Sequence, residues 1–198
     1  QVVYIPAGTY RLTGELRISG KSIVLRGDGQ RRTHLRNYAA SGHILSIYIE
    51  IRDEFPVNIV SGYTKDSTAI IVENASSLNA GDYIVVYQDN DPELPVDPTG
   101  CGGTCTWCGL NDDENHAMTQ IVRITAKSGN NLSLNRPLYY TFKATQDPEV
   151  LKLSMMERAG VEDMTLEMAQ VGSGTRNGIQ ITQCAHCWIR NVETYKVR

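Results

Sequence analysis

Two tripeptides 28 residues apart, Val161-Glu162-Asp163 and Ile189-Arg190-Asn191, share one grammar: an apolar residue, a charged residue, then Asp or Asn. Ile51-Arg52-Asp53 has the same form earlier in the chain. Neighbouring side chains of a strand point to opposite faces, so the apolar residue is expected to face in and the charge to face out. Asp and Asn tolerate the left-handed backbone that bends one strand into the next. Short strands, sharp bends and a period of about 28 residues suit a coil of parallel strands in which each turn stacks on the one before. Asp53 and Asp163 lie 110 residues apart, 82 more than one such turn, so a separate segment is expected between them.

The flanking sequence agrees with a coil. Residues 2–6, 9–12, 15–18, 22–26 and 43–51 read as short strands punctuated by glycine, with no helical period competing. In the last of these Ile47, Ile49 and Ile51 recur at every second position, which places them inward and Ser46, Tyr48 and Glu50 outward. The inserted segment, residues 56–147, has its own strands at 69–73, 83–87, 119–126 and 131–134, joined by turn sequences such as Asn79-Ala80-Gly81-Asp82. It is expected to form a small antiparallel sheet or barrel. The chain thus divides into coils over 1–55, an insertion over 56–147 and further coils over 148–198, all of it β-structure. Within the insertion, residues 89–118 make a long connection of the kind that usually carries function.

Charge narrows the partners. With 19 Lys and Arg against 22 Asp and Glu, the chain lacks the basic excess that nucleic acid or an anionic membrane surface demands. No apolar run approaches the roughly 18 residues of a spanning helix. The five cysteines are bunched as Cys101, Cys105 and Cys108 in one segment and Cys184 and Cys187 in another, which suggests local disulfides. Disulfides would place the protein outside the cytosol, secreted or at a cell surface. The competing reading is zinc, because Cys105 to Cys108 and Cys184 to Cys187 both have the C-x-x-C spacing of a tetrahedral site.

Val3-Tyr4-Ile5-Pro6-Ala7-Gly8-Thr9-Tyr10, followed by Ile23-Val24-Leu25-Arg26-Gly27-Asp28-Gly29, resembles the right-handed parallel β-helix family of pectate-lyase-like proteins, the pectin lyase fold. The resemblance covers residues 1–55 and 145–198, and the insertion is similar to insertions carried by some members. It implies an all-β, right-handed, single-stranded parallel β-helix with an inserted antiparallel β-subdomain. It also implies that the chain is either a fragment of a longer β-helix or a mature product trimmed at both ends, the catalytic groups of family enzymes typically lying on later coils. Members commonly act on polysaccharides as lyases, glycoside hydrolases or epimerases, while others are phage tailspikes, adhesins or structural proteins.

A polysaccharide lyase needs a base and a cation or Ca²⁺ to acidify the proton it removes, for which His186, Arg190 and Lys196 are candidates. A hydrolase needs paired carboxylates, for which Asp163 beside Glu162 is the candidate. The bland alternative is a solvated face of ordinary charges, with Asp163 serving a turn. Asp112, Asp113 and Glu114 offer hard oxygen ligands for Ca²⁺, though without a recognised calcium spacing. Trp107, Tyr139 and Tyr140 are candidate stacking platforms for sugar rings, with Tyr48 and Tyr63 as further rings of this kind. The expected function is that of an extracellular carbohydrate-binding or polysaccharide-processing module. The alternative is a structural or adhesive β-helix that assembles into a homo-oligomer or filament through its coil ends and inserted loop.

Overall fold

A computed structural model describes residues 1–20, 22–49, 55–90, 109–111, 114–169 and 177–197. In chain order the strands are β1 (Val2–Tyr4), β2 (Gly8–Leu12), β3 (Leu16–Ile18), β4 (Val24–Arg26), β5 (Thr33–Asn37), β6 (Leu45–Ile47), β7 (Val57–Ser61), β8 (Ala69–Val72), β9 (Tyr83–Tyr87), β10 (Gly109–Asn111), β11 (Glu114–Asn115), β12 (Thr119–Ser128), β13 (Asn131–Leu134), β14 (Glu149–Leu153), β15 (Met156–Glu157), β16 (Gly160–Met168), β17 (Ile179–Ile181), β18 (Cys184–Ala185) and β19 (Trp188–Tyr195). The only helical element among the described residues is a 3-10 turn at Ala144–Gln146, and none of them forms a helix long and apolar enough to cross a membrane. The strands fall into two compact units, residues 1–50 with 155–198 and residues 51–154.

Every ladder of the first unit is parallel. β1, β4, the first half of β16 and the first half of β19 form one stack, and β2, β5 and the second halves of β16 and β19 form another. β3, β6 and β17 form the third. A chain that revisits each stack once per turn is the coil that the 28-residue recurrence predicts. The register shows it directly, since Gly160, Val161 and Glu162 lie opposite Trp188, Ile189 and Arg190. Asp163 and Asn191, at the equivalent bend, both have left-handed backbone with φ of 57° and 51°. Asn191 Nδ2 donates to Asp163 Oδ1 at 2.8 Å, so the two bends are also tied to each other. The bend absorbs one residue and resets the alternation, so Val161, Met164 and Leu166 all enter the core while Glu162, Thr165 and Glu167 lie on the outer face. Gly27 lets the neighbouring coil approach this bend, because a Cβ there would sit 2.3 Å from the Asp163 carbonyl oxygen.

The coil core is built from Leu25, Leu35, Ile44, Leu45, Ile47, Met164 and Leu166. Burying each such side chain stabilises the fold by about 1.5–3 kcal/mol. The strand expected at 43–51 is shorter than its apolar alternation suggests. β6 covers only Leu45–Ile47, Ser46 is 2% exposed rather than outward in solvent, and Ile49 is half-buried. Ser46 is flanked in register by Arg17 on one neighbouring strand and Gln180 on the other. Glu50 and Ile51 lie outside the described residues. Conversely β5, which was not among the expected strands, is the central link of the second stack.

The second unit is a closed antiparallel barrel in the order β12, β13, β8, β7, β14, β9. β12 buries Gln120, Val122 and Ile124 and exposes Ile121, Arg123 and Thr125, a strict period of two in burial that hydropathy follows only from Val122 onward. Ile70, Ile84, Val86, Leu132, Leu138, Phe142 and Val150 fill the interior. The sequence boundary placed the return to coils at 148, whereas β14 pairs with β7 and β9 and belongs to the barrel. Its position has a physical reason: without β14 both of those strands would present open edges. The 89–118 connection contains the short antiparallel pair of β10 and β11.

Candidate functional site

Because the coils stack in register, outward residues of successive turns form rows across the first unit. One row runs Tyr4, Arg26, Glu162, Arg190. A second runs Thr9, His34, Thr165, Glu193, and a third Arg11, Arg36, Glu167, Tyr195.

Glu162 is the centre of the first row. Its side chain is 4% exposed, yet its Oε2 accepts from Arg26 Nε at 2.6 Å and pairs with Arg190 Nη2 at 3.0 Å. Its Oε1 accepts from Trp188 Nε1 at 2.7 Å. The indole reaches this position because residue 160 is glycine; a Cβ there would lie 2.4 Å from the Trp188 ring. Burial alone would raise the Glu162 carboxyl. The Trp188 and Arg26 hydrogen bonds and the Arg190 and Arg26 charges outweigh burial and hold it below the usual carboxylate range.

Glu167 repeats the arrangement in the third row. Its Oε2 meets Arg36 Nε at 2.9 Å and His34 Nε2 at 3.0 Å, and its Oε1 accepts from Lys196 Nζ at 3.1 Å. Burial again pushes this carboxyl up, while Lys196 and Arg36 together bring it below its ordinary value. Glu193, in the middle row, accepts from Arg31 at 3.2 Å and from the Thr165 hydroxyl at 3.0 Å, and both bonds favour its ionised form. The cations lie over the carboxylates: Arg26 is 44% and Arg190 63% exposed above the covered Glu162. The face therefore offers guanidinium, ammonium and aromatic groups to solvent and keeps Glu162 and Glu167 underneath, with Glu193 partly exposed between them. The first unit carries twelve Lys and Arg against eight Asp and Glu, a net of +4, whereas the second carries seven against fourteen, a net of −7.

Of the residues singled out in the sequence, Arg190 and Lys196 both stand on this face, each on a different carboxylate. Asp163 makes the bend described above. His186 is exposed at another left-handed bend, with φ of 56°, and Arg158 occupies the equivalent place one turn earlier with φ of 54°. Tyr139 and Tyr140 are about half exposed on the barrel, Tyr140 edge-on to Phe142. Tyr63 instead packs against the barrel core. Cys184 and Cys187 form a disulfide, which uses the two thiolates that zinc would need. Trp107, Asp112, Asp113, Cys101, Cys105 and Cys108 lie outside the described residues, and the side chain of Glu114 is likewise not described. Among the described residues no group of three or more His, Cys, Asp or Glu is arranged to hold a metal.

Sequence reasoning missed Glu167, Arg26, Arg36, His34 and Trp188, and it weighed Glu162 only beside Asp163, as one of a carboxylate pair or as an ordinary outward charge. The 28-residue offset, applied to the outward residues, would have set Arg190 on Glu162. Arg26 is 136 residues from Glu162, so the insertion conceals that pairing. The barrel carries an open cleft of about 800 Å³ lined in part by Phe55, Asn58, Glu73 and Glu149, and neither Tyr139 nor Tyr140 lines it.

No protein-family model and no curated protein matches the chain. Solved structures of phage tailspikes do. The tailspike gp61 of Pseudomonas phage phi297 superposes with a TM-score of 0.68 at 13% identity, over 98% of this chain and 29% of its own. The gp54 tailspike of Acinetobacter baumannii bacteriophage AP22, solved in complex with A. baumannii capsular saccharide, gives 0.53 at 12% identity, over 100% of this chain and 31% of its own. The tailspike gp49 of Pseudomonas phage LKA1 gives 0.53 at 16% identity, over 97% and 37%. The chain spans about a third of the length of these proteins. At such identities the likeness is one of fold, an all-β fold shared with tailspike β-helix proteins.

Proposed function

We propose that this chain is a polysaccharide-recognising segment of a larger β-helix protein that acts outside the cell, and that its coil is right-handed and single-stranded, as in the pectate-lyase-like proteins its N-terminal motifs resemble. Parallel strands joined within one sheet cross over right-handed in about 98% of cases, which supports the hand. The Cys184–Cys187 disulfide supports an oxidising location, secreted or at a cell surface.

One observation carries the functional reading: the outer face of the coil sets exposed Arg26, Arg190 and Lys196, with Trp188 and Tyr195, in rows over buried carboxylates. A saccharide chain is bound by donors for its oxygens and flat rings for its C–H faces, repeated along its length. The rows supply both, fixed in place because each cation is already tied to Glu162 or Glu167. The AP22 tailspike was solved with a capsular saccharide, so a protein of similar fold holds this class of ligand.

Recognition is favoured over cleavage on this face. A glycosidase needs one carboxyl raised so that it is protonated near neutral pH, and here Glu162 and Glu167 are both lowered. The test is titration of the chain with a panel of neutral and acidic polysaccharides, with solution mass followed by light scattering. Binding of one glycan class, weakened at least tenfold by Arg190→Ala in a variant with native circular dichroism, is the expected result. A large assembly indifferent to every glycan would favour the structural, self-associating alternative.

A further inference from the structure

We infer that Arg11, Arg36 and Tyr38 form a subsite for a carboxylate-bearing sugar unit, which rests on the polysaccharide reading above and narrows it to acidic saccharides. Arg11 and Arg36 stand directly opposite each other on the parallel strands β2 and β5. Like charges placed opposite on a sheet repel, so such a pair needs a compensating anion. The protein supplies only part of one. The Glu167 carboxylate is shared among Arg36, Lys196 and His34, and among the described residues Arg11 has no carboxylate partner. Tyr38 holds the two guanidinium groups together, its ring centroid 4.3 Å from Arg11 Cζ and 5.6 Å from Arg36 Cζ. A ring face attracts cations without neutralising them.

Counting only the groups of fixed charge, Arg11, Arg36 and Lys196 against Glu167 leave two positive charges unmatched. Arg11 is exposed and Arg36 about one-third exposed, so an incoming anion can reach both. A carboxylate matches the planar fork of a guanidinium with two parallel hydrogen bonds, which a lysine cannot reproduce. A uronate or similar acidic sugar thus fits chemically, its carboxylate to the arginines and its ring beside Tyr38.

The experiment is a binding titration of the full chain at low salt against polygalacturonate, hyaluronate and polysialate. Each is paired with its carboxyl-reduced counterpart, and dextran and dextran sulfate serve as further arms. Binding of at least one acidic polymer is expected, weakened at least tenfold by carboxyl reduction. Arg11→Gln should weaken it at least fivefold with unchanged melting, Arg11→Lys should restore only part, and Lys65→Gln on the barrel should leave it unchanged. Equal binding of the carboxyl-reduced polymers, binding of dextran sulfate alone, or an Arg11→Gln variant that binds like the wild type would overturn the subsite and leave polysaccharide recognition standing. Failure to bind any polymer would overturn both.

Discussion

Strand β12 of the barrel and strand β16 of the coil are of similar length, ten and nine residues, and they bury their side chains by different rules. Through its first half β12 alternates buried and exposed, one side chain to the barrel core and the next to solvent, even where buried Gln120 and exposed Ile121 run against hydropathy. β16 is buried at every residue except Asp163, outward carboxylates included. In the stacked coil an outward side chain sits between those of the turns above and below. Where those neighbours are Arg26, Arg190, Arg36 and Lys196, they cover it. Burial on the outer face is therefore set by coil register and not by hydropathy. The same stacking concentrates positive charge on the coil face, and no such row of paired charges occurs among the described residues of the barrel.

The largest expected effects come from breaking either core separately. Ile47→Asp in the coil and Val122→Asp in the barrel each bury a carboxylate where the native side chain is at most 1% exposed. An unpaired buried charge costs several kcal/mol, on the order of a unit's whole stability. Calorimetry should show each substitution abolishing the transition of its own unit while the other survives. Loss of all structure in both variants would show that the two units unfold as one.

Gly160→Val comes next, because its side chain claims the space of the Trp188 ring. Overpacking of this kind costs about 1–3 kcal/mol, and Trp188 emission should move to longer wavelength as the indole leaves Glu162. Unchanged emission and melting would mean that the ring does not rest on residue 160.

Glu162→Gln should cost about 1–3 kcal/mol, the usual range for a hydrogen bond to a charged group or an unpaired buried partner. It should also change the response to acid. The folded carboxyls of Glu162 and Glu167 lie below the ordinary value of 4.5, so their stabilisation is complete above that pH and is lost as pH falls through the lowered folded values. The coil transition should therefore weaken below about pH 4.5, with a shallower dependence in Glu162→Gln than in the wild type. An identical pH profile in the variant would remove Glu162 from this account. The smallest effect is expected from Arg31→Gln, whose pair with Glu193 is exposed; its melting should be indistinguishable from the wild type.

The barrel was the more legible unit. Residues 69–73, 83–87, 119–126 and 131–134 read as strands because turn sequences bound them, and each corresponds to a barrel strand within a few residues, although β7 and β14 went unread. In the coil the legible signal was the recurrence of Asp163 and Asn191, because Asp and Asn adopt left-handed backbone readily, whereas the left-handed bends at Arg158 and His186 carry no such mark. Thr33–Asn37 was not read as a strand, although its outward His34 and Arg36 are the partners of Glu167. Ile189 shows the limit of the pattern: it occupies the register position of the fully buried Val161 yet is 49% exposed. The charged face of the coil was illegible for a different reason. Its rows join residues from both sides of the inserted barrel, and pairings across 131 to 136 residues have no local period to betray them.

Hydroxyl-radical footprinting of the chain with a bound polysaccharide tests the central claim most directly, because it compares aromatic side chains of the two units in one experiment. The account predicts protection of Trp188, Tyr38 and Tyr195 on the coil face, with Tyr139 and Tyr140 on the barrel modified as readily as in the free protein. Protection confined to Tyr139 and Tyr140 would contradict it and move the binding site to the barrel.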